Sequence, residues 1–246
     1  MEVSVSYDFL PKTQTTHTAM VMSHFGIGFE SGQNVIADNV DLPIEGGQVV
    51  CFTGASGSGK SSLMRAVADQ LEKVVNIDDL DLGTLPLIDG LECAFEEAMQ
   101  WLSLCGLSET QLMLRTPAEL SDGQRYRYRL AKGLAQRPDW LQADEFTATL
   151  DRVLARVIAC NIRKLATRQQ IGFLLATTHE DMLEELSPDL HLRCDLGGEI
   201  EITHLNRKKK VSACSTNSNS PPERKATGRT SLGGITAVTA SGSSVS

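Results

Sequence analysis

Apolar and polar positions alternate along the chain in two rhythms. A short unbroken apolar run, VVCFT at 49–53, predicts a buried strand that enters a glycine-rich loop. From 61 to 73, Leu63, Val67 and Leu71 recur at helical spacing on one face. Residues 91–104 repeat that spacing with Leu91, Phe95, Ala98 and Leu102, and 124–136 predict a third helix. Trp140–Ala143 then predicts a strand, 151–168 a helix and 171–177 another strand. Strands alternating with helices of this length predict an α/β fold, a mostly parallel sheet flanked by helices. Residues 1–20 are patterned more weakly and are expected to form a loosely structured lead. No segment repeats another.

Composition changes this picture mainly at the C-terminal end. With 246 residues, 41% apolar and 22% charged, the chain has the balance of an ordinary globular protein. No stretch approaches the roughly 20 apolar residues needed to cross a bilayer. The opening MEVSVSYDFL lacks the basic and apolar regions of a secretory signal. Cysteines 51, 93, 105, 160, 194 and 214 are scattered, with no CxxC pair. That pattern argues against a zinc site or a disulfide framework and for reduced thiols, so a cytoplasmic location is expected. The net charge of −8 conceals two unlike parts. Residues 207–246 carry seven basic residues and one acid, +6, while 1–206 carry 16 basic against 30 acidic residues, −14. The tail is rich in Ser, Thr and Gly, so 207–246 is expected to be disordered. Its RKKK at 207–210 suits nucleic acid or an anionic surface. The folded domain is expected to span 21–206.

The densest chemistry lies at Gly54, Ala55, Ser56, Gly57, Ser58, Gly59, Lys60, Ser61 and Ser62. These residues fit G-x-x-x-x-G-K-[ST], between a predicted strand and a predicted helix. Glycines let consecutive backbone N–H groups turn inward around phosphates without a Cβ clash. The following helix offers its positive end to the same anion. Lys60 can reach the β- and γ-phosphates, and the Ser61 hydroxyl can ligate Mg²⁺.

Three downstream segments, taken with this loop, resemble the ATP-binding cassette (ABC) ATPase family. Residues 119–124, ELSDGQ, are similar to the family's LSGGQ signature: Ser121, Gly123 and Gln124 match, and Asp122 replaces a glycine. The resemblance implies that Ser121 and the Gly123 backbone contact the γ-phosphate held by the opposite subunit. Residues 140–151, WLQADEFTATLD, resemble the Walker B strand and the D-loop. The match implies Asp144 as Mg²⁺ holder, Glu145 as the residue that polarises the attacking water, and Asp151 as the D-loop aspartate. Phe146 stands where the family usually has proline, and Gln142 interrupts the apolar run. Residues 175–181, LATTHED, resemble the switch-histidine loop, implying that His179 contacts the γ-phosphate and helps orient the water. Ser121 precedes Asp144 by 23 residues and Glu145 precedes His179 by 34, intervals similar to the family's. The adenine-stacking aromatic is assigned to Phe29, with Phe25 as the alternative. The implied fold is a P-loop NTPase of ABC type, with an N-terminal antiparallel β part and a shortened helical subdomain.

That shortening shapes the functional expectation. Only 61 residues separate Lys60 from Ser121, and 73–90 contain no glutamine for a Q-loop. Asp79 or Asp81 is the candidate stand-in near Mg²⁺. In the family this region receives a transporter's membrane domain. The expected function is therefore a soluble mechanochemical ATPase that hydrolyses ATP with Mg²⁺. It would work as a homo- or heterodimer of ABC domains sandwiching two nucleotides, on a protein or nucleic-acid partner. The alternatives are the ATPase subunit of a membrane transporter, with a permease partner, and a regulatory ATP-binding module coupled to another enzyme domain.

Overall fold

The computed structural model describes residues 1–8, 10–27, 33–196 and 198–204. In chain order they form β1 (Glu2–Asp8), α1 (Thr16–Phe25), β2 (Gln33–Asp41), β3 (Val49–Gly54) and α2 (Lys60–Ala68). There follow β4 (Val74–Asn76), α3 (Phe95–Leu104), α4 (Thr110–Met113), α5 (Asp122–Ala135) and β5 (Trp140–Ala143). The described part ends with α6 (Arg152–Gln169), β6 (Gly172–Thr177), α7 (Leu183–Leu186), β7 (Leu190–Cys194) and β8 (Ile200–His204).

Six strands make one sheet in the order β4-β5-β6-β3-β7-β8. The first five run parallel, and β8 pairs antiparallel with β7 at one edge. Alternate side chains of the central strands feed two cores. Val49, Cys51, Phe173 and Leu175 join one cluster with Leu102, Leu134 and Ile162 from α3, α5 and α6. Val50, Phe52, Leu174 and Ala176 join the other with Leu63 and Val67 of α2. Both faces are covered, so β3 and β6 read as continuous apolar runs rather than alternating ones.

The N-terminal residues differ from the expected loose lead. Val3 and Val5 alternate with Ser4 and Ser6, and β1 pairs antiparallel with β2 from Glu2↔Asp41 to Asp8↔Gln33. Val3 is fully buried, and the Met1 amino group donates to the Leu42 carbonyl at 2.8 Å. A capping box between Thr15 and Thr18 starts α1 inside the connection. The helices shift by a few residues from the periodic spans. α2 stops at Ala68, where the backbone tightens into three-residue turns, with the Gln70 N–H donating to the Val67 carbonyl and the Leu71 N–H to the Ala68 carbonyl. α5 begins at Asp122, because Ser121 and Gln124 form a reciprocal capping box. The described residues fall within the unit Met1–Lys209. Phe29 and the 207–246 tail lie outside them.

Candidate nucleotide site

The glycine-rich segment is the whole connection between β3 and α2. Gly59 caps α2 in the left-handed region, φ 87°, with no side-chain cap. The first-turn N–H groups of α2 are thereby left for an outside acceptor. A Cβ on Gly54 would lie 2.1 Å from the Cys194 carbonyl oxygen, and one on Gly59 2.4 Å from Ile36 Cγ2. Lys60 is buried, and its Nζ donates to the Ala55 carbonyl at 2.6 Å. Ser58 Oγ is buried without a hydrogen-bond partner among the described residues. A buried unsatisfied hydroxyl beside free amides suits an incoming anion.

Residues 56–62 line a cleft of about 490 Å³, and Asp144, Glu145, Thr177 and Thr178 line it too. Sheet order explains why. β6 lies between β5 and β3, with Ala143 beside Leu175 and Thr53 beside Thr177. Three parallel strands therefore end at the same edge, where α/β sheets bind ligands. Beyond β5 the chain turns sharply. Glu145 and Thr147 both have positive φ, 46° and 65°. The Glu145 N–H donates to Asp144 Oδ1 at 2.9 Å. The Phe146 N–H donates to the Ala176 carbonyl at 2.7 Å, and its side chain is fully buried. Phe146 thus anchors the turn into the core.

Other expected site residues stand elsewhere. Ser121, Gly123 and Gln124, at the start of α5, do not line the cleft. Asp122 is exposed and pairs with Arg125 at 3.3 Å. Asp151 caps α6, accepting the Leu154 N–H at 2.9 Å. His179 follows β6, and its N–H donates to Thr177 Oγ1 at 3.1 Å, but it is not a cleft-lining residue. Phe25 sits exposed on α1, its ring edge-on to His24.

The structure adds residues that the motifs did not single out. Tyr7, at the end of β1, lines the cleft with Val35 and Ile36, as do Asp195 and Leu196 beyond β7. The alternation VSVSY carried a strand signal for Tyr7. Asp195 had none, since only the Gly54↔Cys194 pairing brings it near the loop. The acid beside Asp144 is neither Asp79 nor Asp81. Asp79 accepts from Asn76 Nδ2, and Asp81 accepts the Gly83 N–H. Asp78 accepts the Asp144 N–H at 3.2 Å. Burial pushes the Asp78 carboxyl above its ordinary pKa, against the lowering pull of that amide and of Arg129.

A phosphate loop and two adjacent carboxylates at the C-terminal edge of a parallel sheet define a P-loop nucleotide-hydrolysing domain. No family model matches the chain. The chain is 34% identical over 170 residues to an aliphatic sulfonates import ATP-binding protein, SsuB 2, of Mesorhizobium japonicum, covering 61% of this chain and 68% of that protein. It is 31% identical over 214 residues to SsuB 2 of Rhizobium johnstonii, covering 78% and 81%. The fold is similar to the ATP-binding cassette MJ0796 in a dimeric post-hydrolysis state bound to ADP and Pi, with a TM-score of 0.61 at 19% identity, covering 82% of this chain and 96% of that one. The chain belongs to the ABC ATP-binding protein family and is an ATPase.

Proposed function

We propose that the chain is the ATPase subunit of an ABC import system and closes with a second ABC domain over two ATP molecules. Its relatives are named as import ATP-binding proteins, for aliphatic sulfonates and, in the MetN 1 protein of Yersinia pestis bv. Antiqua at 28% identity, for methionine. Those names favour a transporter subunit over the soluble ATPase expected from the short interval before Ser121. No helix among the described residues is long and apolar enough to cross a membrane, so the membrane path would come from a permease.

The observation that carries the sandwich is geometric. The loop, Asp144 and Glu145 share one cleft, while Ser121 and Gly123 lie outside it. A second domain that supplies the same pair completes both sites by two-fold symmetry. Backbone amides of the loop and of α2 hold the phosphates, and Lys60 exchanges the Ala55 carbonyl for phosphate oxygens. The Ser61 hydroxyl and Asp144 carboxylate are hard oxygen donors that suit Mg²⁺, which when bound neutralises charge on phosphoryl oxygens. Glu145 orients the attacking water and takes its proton, and His179 steadies the γ-phosphate side. Nucleotide binding closes the pair and hydrolysis opens it.

Glu145→Gln tests this reading. The variant should keep ATP affinity, lose turnover by about a hundredfold or more, and elute as a dimer with ATP. Wild-type turnover would remove Glu145 from its role, and a monomer in saturating ATP would refute the sandwich. The ATP-locked variant should also co-purify with a polytopic protein from detergent-solubilised membranes. Recovery of ribosomes or nucleic acid instead would return the function to a soluble ATPase.

A further inference from the structure

One face of α5 carries Gly123, Tyr126 and Arg129; the first two meet the segment that presents Asp144 and Glu145, and Arg129 reaches it through Asp78. Gly123 lies so close to that segment that a Cβ would stand 2.9 Å from the Thr149 carbonyl oxygen. Tyr126 is buried, and its hydroxyl accepts the Thr147 N–H at 3.4 Å. Arg129 Nη1 lies 3.9 Å from Asp78 Oδ1, and the other oxygen of Asp78 accepts the Asp144 N–H. Three-residue spacing keeps such side chains on one side of a helix, so the contact belongs to the register of α5.

The segment needs holding. Glu145 and Thr147 both occupy the left-handed region, which side chains with a Cβ disfavour, β-branched ones most. Such backbone persists only where its surroundings determine it. The amides of Asp144 and Thr147 flank Glu145, and both are held by side chains tied to α5.

We propose that Tyr126, Arg129 and Asp78 are positioning residues for ATP hydrolysis, holding the Glu145 turn in register with α5 through the Thr147 and Asp144 amides. The inference rests on the reading of Asp144 and Glu145 as the hydrolytic carboxylates. Ser121, the group assigned to the nucleotide of the second domain, is the N-cap of α5. One helix therefore carries that contact at its N-terminus and steadies its own hydrolytic turn along its side.

The test uses the full chain, with steady-state ATPase rates and binding of a fluorescent ATP analogue. Tyr126→Phe and Asp78→Ala should each lower kcat by roughly tenfold to a hundredfold, as expected for a displaced reacting group, with KM and nucleotide affinity unchanged. Asp78→Asn keeps an oxygen acceptor for the Asp144 amide and should restore most of the rate. The proposal is overturned if kcat stays at the wild-type value in both variants. It also falls if affinity drops in step with kcat, or if Asp78→Asn is as damaging as Asp78→Ala. Glu145→Gln run alongside separates the two levels. Inactive Glu145→Gln beside fully active Tyr126→Phe and Asp78→Ala refutes the positioning role alone. Active Glu145→Gln removes the hydrolytic reading and the positioning role with it.

Discussion

Gly54→Ala should be among the most damaging small substitutions in the chain, and the reason is backbone rather than chemistry. Gly54 has φ 139°, a conformation essentially confined to glycine, so an alanine there carries about 1–3 kcal/mol of strain. Its new Cβ would lie 2.1 Å from the Cys194 carbonyl oxygen, and real Cβ contacts almost never fall under 3.0 Å. Gly54 and Cys194 are register partners of β3 and β7, so no rotamer relieves the clash and strand backbone must move. Overpacking of that kind costs a further ~1–3 kcal/mol. The sum is about 2–6 kcal/mol, which for a chain of this size lowers Tm by roughly 2–4 °C per kcal/mol.

Gly57→Ala is the internal control. Gly57 also has positive φ, 82°, but a Cβ there meets nothing within 4 Å. Only the left-handed penalty of about 1–2 kcal/mol applies. Thermal melts and urea titrations without nucleotide compare the two. Gly54→Ala should show clearly the larger loss in midpoint at unchanged m. Equal losses would refute the steric account of why this loop needs glycine at its first position.

Lys60→Ala removes charge-assisted bonds worth about 1.5–3 kcal/mol, so ATP affinity should fall roughly tenfold to a hundredfold; undiminished affinity would mean that Lys60 does not hold phosphate. Tyr7→Ala should weaken ATP binding by about 1–3 kcal/mol if the ring stacks on the base. Inorganic triphosphate should then bind as before, and an equal loss for both ligands would exclude stacking. Asp189 accepts the Val49 N–H at 2.9 Å and pairs with Arg163 at 2.8 Å, both side chains being largely buried. Asp189→Ala should therefore cost about 3 kcal/mol in urea unfolding, and an unchanged midpoint would contradict this. Burial lowers the His191 pKa below 6.5, against the raising pull of Glu180 and Glu201. The unfolded chain then takes up the proton first as pH falls, so this contribution is intact above pH 6.5 and fades below it. His191→Asn should flatten that part of the stability profile, and an identical slope in the variant would exclude His191 as its source.

The phosphate loop was legible because its requirement is local. Amides can turn inward only where Cβ atoms are missing, so Gly54, Gly57 and Gly59 had to appear as letters in one short stretch. Asp144 and Glu145 were singled out because residues 140–151 resemble the family's Walker B strand and D-loop. Their meeting with the loop was not legible, since it depends on β6 lying between β5 and β3. Tyr7 was missed because its short strand alternates valine with serine and looks polar until β2 pairs with it. The start of α3 was misplaced because Glu92 takes a left-handed conformation without a glycine to announce it, and the end of α2 because its last turn tightens with no breaker residue in the letters. Chain length before Ser121 was read as a statement about the partner, yet α3 and α4 are both built within it, and the relatives' names favour the transporter alternative. A short segment reports how economically a subdomain is folded, and which surface it offers is a separate matter. The spacing of Gly123, Tyr126 and Arg129 illustrates the general limit. All three letters stood beside the signature, but a stripe on a helix acquires chemical meaning only from what packs against it. Here that is a strained turn brought from about twenty residues further along the chain.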